Sequence, residues 1–264
     1  MEMIVFVLSI FLTLQFFYKW YYRVYKIWDI GNYRFVKRFF YLTPVILFVI
    51  YFYTTTSFAA SDVVTSQFYI FYYIVLGFAF TNLTNHLIFM FLNISWIDDA
   101  LNSNNKATAL TVSGVMIGLG LIYSFANVGE GPGFWTVILA SSLGLIAFIL
   151  LIMILNKTTK ILDKIISDHN LSLAIRFSML VLGLSLILGK AASGNWTSLE
   201  HTFVEFLIFW PAIILIIISI VIELIFKNST SKTLSFTIGL VYLGFSVISL
   251  LYLSDLFDFV KLLM

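Results

Sequence analysis

The chain of 264 residues has no cysteine, three prolines and few charges, 11% of the total. Each shortage excludes something. Without cysteine there is no disulfide framework, no thiolate metal site and no thiol nucleophile, and the redox compartment leaves no trace. Three histidines do not complete a structural zinc site, which normally mixes Cys with His. Haem would need two histidines at compatible depth, and only His86 and His169 could pair. No cofactor or metal is expected. Nor does the sequence carry a nucleophile–base set or a glycine loop of the phosphate-cradling kind, so an enzyme is not expected.

What is abundant is apolar. Hydrophobic residues make up 61% of the chain and the mean hydropathy is +1.02. Soluble domains are about 45–50% apolar and about 25% charged. A helix that crosses the ~30 Å hydrocarbon layer needs about 20 largely apolar residues. Eight stretches qualify, near 3–20, 40–60, 68–93, 107–126, 134–155, 172–189, 203–226 and 233–254. Runs such as IAFILLIMIL lack the alternation of a barrel strand, and lipid admits only helices or closed barrels. The expected fold is an all-α integral membrane protein with about eight transmembrane helices. Residues 1–94 would hold helices one to three, and 95–264 a repeat region with helices four to eight. The N-terminus lacks a basic region and a small-residue cleavage site, so it reads as a retained span.

Positive charge kept on the cytoplasmic side sets orientation. The first connection, residues 19–38, carries Lys19, Arg23, Lys26, Arg34, Lys37 and Arg38 against Asp29 alone. Placing it inside puts twelve of the fifteen Lys and Arg on the cytoplasmic side, with both termini outside. This segment also interleaves Trp and Tyr with its bases. It reads as an interfacial helix or an extension of the first span, broken near Gly31, and anchored on anionic lipid. Pinned between two spans, it is not read as a nucleic-acid patch.

The third helix is the most polar inside, with Thr81, Asn82, Asn85 and His86. Positions 82, 85 and 86 share a face. Polar groups at membrane depth serve either as interhelical hydrogen-bonding glue or as a solute, ion or proton path. Asp98 and Asp99 follow in a short amphipathic segment, where Ser103 or Asn104 could cap the fourth helix. Arg176, one turn into the sixth helix, is expected to snorkel to the cytoplasmic face. Glu223 stands four residues before Lys227, a spacing that favours an ion pair. A candidate polar path therefore comprises Asn82, Asn85, His86, Asn105, Asn170, Arg176 and Glu223.

Small residues recur in three helices. Counted from Asn105, offsets four, eight, thirteen and fifteen are Ala109, Ser113, Gly118 and Gly120. Counted from Asn170 they are Ala174, Ser178, Gly183 and Ser185, and from Ser231 they are Ser235, Gly239, Gly244 and Ser246. Offsets four, eight and fifteen lie within ~40° of one another at ~100° per residue, and offset thirteen faces the other way. Each helix is thus predicted to pack closely on two sides. Each unit holds two crossings, which implies parallel two-helix repeats. The corner Asn127–Trp135 holds three glycines and a proline and is predicted to be a tight, defined turn.

The runs NNKATALTVSGVMIG and DHNLSLAIRFSMLVLG resemble the bacterial membrane-protein family called domain of unknown function 350, over residues about 95–253. The matching residues are Asn105, Ala107, Ala109, Gly114 and Gly118, then Asn170, Ala174 and Gly183. Leu171 and Leu173 depart from the pattern, and the third unit lacks the Asn. The resemblance implies a bacterial inner-membrane protein of no settled activity. The expected function is non-enzymatic: a membrane component of an oligomeric or stress-response assembly, with the bilayer and a second copy or a membrane protein as partners. A channel or small-solute transporter lined by helix three is the alternative.

Overall fold

The computed structural model describes residues 2–27, 33–196, 198–226 and 229–263, with backbone alone from 254 onward. Eight of its helices are long and apolar enough to cross a membrane. They are α1 (Glu2–Lys26), α2 (Arg34–Ser57), α3 (Gln67–Leu92), α4 (Lys106–Ala126), α5 (Phe134–Thr159), α6 (Leu171–Ala192), α7 (Leu199–Ile225) and α8 (Lys232–Leu263). Among the described residues no strand is present beyond an isolated bridge between Ala59 and Val128. The chain is an all-α, membrane-type bundle. Within α7, Pro211 has no amide hydrogen to donate to the preceding turn. A 3-10 turn, Leu207–Phe209, sits there and divides the span in two.

The basic segment 19–38 is mostly helix, because α1 runs on to Lys26 and α2 begins at Arg34. Burial holds these extensions together. Trp20, Val24, Val36 and Phe40 are buried, and the Trp20 indole donates to the Phe40 carbonyl at 2.8 Å. The expected break at Gly31, along with Asp29 and Lys227, lies outside the described residues. So do the side chains of Asp255, Asp258 and Lys261.

Helices α2, α4, α6 and α8 form one row, and α1, α3, α5 and α7 form a second row laid against it. Small residues set the spacing of the first row. A methyl group added at Gly118 of α4 would lie 2.5 Å from Ser185 Oγ of α6, and one at Gly183 of α6 would lie 2.5 Å from Ser246 Oγ of α8. In both cases offset thirteen of one helix meets offset fifteen of the next. A second level repeats the relation. Gly114 faces Ser178 across the α4–α6 contact, and Gly239 faces Met179 across the α6–α8 contact. Contacts climb both partners together, so these helices run parallel.

The row begins one helix earlier than the small residues suggest. Thr43 of α2 bonds Ser113 at 2.9 Å, and Leu47 stands against Gly120. Those contacts place α2 on α4 in the register that α4 uses on α6, with Leu47 where α4 has Gly118. Of the twelve small residues, all but Gly244 are buried.

At the end opposite the basic segment, the glycine corner ties three connections together. The Val128 carbonyl accepts from the Gly194 amide at 3.1 Å, and the Glu130 carbonyl accepts from the Trp196 amide at 2.7 Å. The Glu130 amide donates to Asn195 Oδ1 at 2.9 Å, and Glu130 Oε1 accepts from the Ser61 amide at 3.1 Å. Gly129 has φ +116, a conformation disfavoured for residues with a Cβ. A Cβ there would also run into the Gly194 carbonyl. Gly129→Ala should therefore cost roughly 1–3 kcal/mol. The check is a lower thermal unfolding midpoint in detergent, and an unchanged midpoint would mean that the corner does not hold the connections.

Candidate functional site

The polar residues predicted to share one path separate into three groups. The first lies between α1, α3 and the π-helical turn Trp96–Asn102. Here a pocket of about 300 Å³ is lined by Lys19, Arg23, Asn82, Asn85, His86 and the rings of Phe16, Trp20, Phe89 and Trp96. Asn82 is buried and donates from Nδ2 to the Leu12 carbonyl of α1 at 3.3 Å. That bond is interhelical glue, reinforced by Thr13 Oγ1 donating to the Val75 carbonyl at 2.9 Å. Thr81 bonds the Tyr51 hydroxyl of α2. Asn85 differs, because it is 7% exposed and its Oδ1 has no hydrogen-bond partner. His86 is exposed at the pocket's edge. Trp20 stacks on Trp96 with centroids 4.4 Å apart.

An open groove of about 900 Å³ shares His86 and Trp96 with this pocket and adds Asp98, Asp99 and Asp163. The adjacent acids close a cap. Ser95 Oγ donates to Asp98 Oδ2 at 2.9 Å, and Asp99 Oδ2 accepts from the Ser95 amide at 2.7 Å. Among the described residues no group of three or more His, Asp or Glu is placed to hold a metal ion.

The second group consists of helix caps. Asn105, fully buried, accepts at Oδ1 from the Ala107 and Thr108 amides at 3.0 and 3.1 Å. Its Nδ2 donates to the carbonyls of Ile165 and Ile166 at 3.2 and 3.0 Å. Asn170 accepts from the Leu173 amide at 3.1 Å, and Ser231 accepts from the Leu234 amide at 3.3 Å. The three anchor positions of the sequence pattern are thus N-caps, a role that Asn and Ser share. Asn105, rather than Ser103 or Asn104, caps α4; Asn104 is in the left-handed region instead, with φ 51.

The third group is a buried ion pair. Arg176 does not snorkel; it is 0% exposed. Its Nε meets Glu223 Oε1 at 2.7 Å and its Nη2 meets Oε2 at 2.8 Å, in fork geometry. Nη1 donates to Ser235 of α8 at 2.8 Å. One guanidinium so joins α6, α7 and α8. Glu223 faces Arg176, and the Lys227 side of the expected pair lies outside the described residues. The sequence held a signal for this bond, since Arg176 and Glu223 are opposite charges placed inside apolar spans and each needs a partner there. The convergence of Lys19 and Arg23 on the amides of α3 had no such signal.

Removing one partner of a buried pair strands the other charge, at a cost of about 3–5 kcal/mol. Glu223→Ala should therefore collapse the unfolding midpoint, while Arg176→Leu with Glu223→Leu should recover most of the loss. Equal damage from the single and double variants would contradict a closed structural pair. No family model matches the chain, and no curated protein or solved structure matches it.

Proposed function

We propose that this is a non-enzymatic membrane component of a bacterial inner membrane, built of parallel two-helix units and working through self-assembly along its row of helices. The observation that carries this reading is Gly244. It occupies offset thirteen of α8, the position at which Gly118 and Gly183 receive the next helix, and among the described residues no other helix comes within 4 Å of where a Cβ would stand. The row's other end is open as well. On α2 the places matching Ser113 and Gly120 are Leu42 and Val49, which are 55% and 59% exposed. A side chain such as Val49 fits against a glycine such as Gly244. Joining α8 of one copy to α2 of the next would continue the register head to tail, a contact that generates a ring or a filament.

The resemblance to the domain of unknown function 350 family belongs to this proposal. Its Asn-containing helix starts coincide with the caps at Asn105 and Asn170. The positive-inside distribution supports both termini outside. A solute path along α3 is the second reading. Asn82, Asn85 and His86 on a pocket wall favour it. Against it, Asn105 and Asn170 are occupied as caps, and Arg176 and Glu223 bind each other.

The cysteine-free chain gives a clean background for cross-linking. Val49→Cys combined with Gly244→Cys should form covalent multimers in native membranes on oxidation, and Val49→Cys alone should not. Monomers from the double variant would overturn the head-to-tail contact. Loss of solute flux from proteoliposomes on changing Asn82, Asn85 and His86 to Ala, Ala and Leu, with folding intact, would favour the second reading instead.

A further inference from the structure

We infer that the pocket between α1, α3 and the Trp96–Asn102 turn binds a glycerol-phosphate type group: an anionic phosphoester that also carries a free hydroxyl. Lys19 and Arg23 stand four residues apart on α1, on one face, and both line the pocket, whereas no carboxylate does. Lys and Arg give charge-assisted hydrogen bonds to phosphate oxygens. The three aspartates of the adjoining groove repel an anion and so confine it to the Lys19–Arg23 side.

Asn85 supplies the independent observation. A buried acceptor without a donor is costly, and Asn85 Oδ1 is buried with none. A bare phosphate oxygen is itself an acceptor and cannot satisfy it; a hydroxyl on the same ligand can, once the Asn85 amide that lines the pocket turns its oxygen toward the cavity. The stacked Trp20 and Trp96 give the pocket an apolar wall of the kind found at headgroup depth. Beside His86, Leu83 and Leu87 are 51% and 46% exposed, an apolar strip along which acyl chains could lie. The ligand chemistry is common to a phosphatidylglycerol-type headgroup and to free glycerol phosphate.

The test uses the full chain in phosphatidylcholine nanodiscs doped with phosphatidylglycerol, with retained lipid read by native mass spectrometry. Wild type should retain phosphatidylglycerol, and Lys19→Gln with Arg23→Gln should retain about tenfold less. Arg34→Gln with Arg38→Gln removes equal charge at the same end of the bundle and should retain as much as wild type. No retention by wild type, or equal loss in both double variants, would overturn the site. Competition by soluble glycerol 3-phosphate assigns a free phosphoester, and retention despite it assigns the lipid. For the hydroxyl, wild type should prefer phosphatidylglycerol to phosphatidylmethanol, and Asn85→Leu should erase the preference. A preference that survives in Asn85→Leu would overturn the hydroxyl assignment.

Discussion

Three parallel backbones approach one another closely along α4, α6 and α8, and the rest of the bundle is arranged around that approach. In a bilayer, lipid tails are as apolar as leucine, so helices gain little hydrophobic free energy by pairing. What remains is van der Waals contact and a few hydrogen bonds. Gly118 against Ser185 and Gly183 against Ser246 leave no room for a Cβ. Ser178 Oγ adds a bond to the Leu110 carbonyl at 3.2 Å. The same relation at both interfaces makes one helix-to-helix step into a repeated operation.

Two other devices fix the ends of the helices. At the basic end, Arg176 binds Glu223 and Ser235 and so prevents α6, α7 and α8 from sliding past one another. The caps at Asn105, Asn170 and Ser231 set where three row helices begin. Asn105 additionally ties the start of α4 to the carbonyls of Ile165 and Ile166 in a short helix, Ile161–Ser167, that precedes α6. At the opposite end, the Gly129 corner joins the connections after α2, α4 and α6 through backbone bonds and through the side chains of Glu130 and Asn195. The interior is thereby committed to packing, and the unassigned chemistry lies at the margins. Gly244 sits on the open face of the last helix in the row. Lys19, Arg23 and Asn85 sit where α1 meets α3, and α1 is the least enclosed span, with 22% of its apolar window buried.

Much of this was legible in the sequence. Hydropathy summed over some 20 residues is a strong signal, and all eight spans are found where it places them. The small residues at fixed offsets were legible because backbone proximity imposes a side-chain size limit that few residue types meet. Membership of α2 was not, since Thr43 and Leu47 perform the same contacts without being small. The partner of Arg176 was missed because Glu223 is 47 residues away, and local spacing pointed to Lys227. The helical extension through Lys26 was legible as a continuation of the first span, whereas the mixture of bases and aromatic rings hid how early α2 begins, at Arg34. The pocket was illegible because Lys19 and Arg23 looked like anchoring charge until folding set them beside Asn85.

The central claim is that close approach at offset thirteen holds the row together and that, among the described residues, α8 alone leaves this position vacant. The most direct measurement compares Gly183→Leu with Gly244→Leu by thermal unfolding of the purified protein in detergent. Leucine at 183 meets Ser246 and the Tyr242 carbonyl and should lower the midpoint sharply, since overpacking costs about 1–3 kcal/mol or more. Leucine at 244 meets open space and should leave the midpoint at or above that of wild type. Equal midpoints for the two variants would contradict the account.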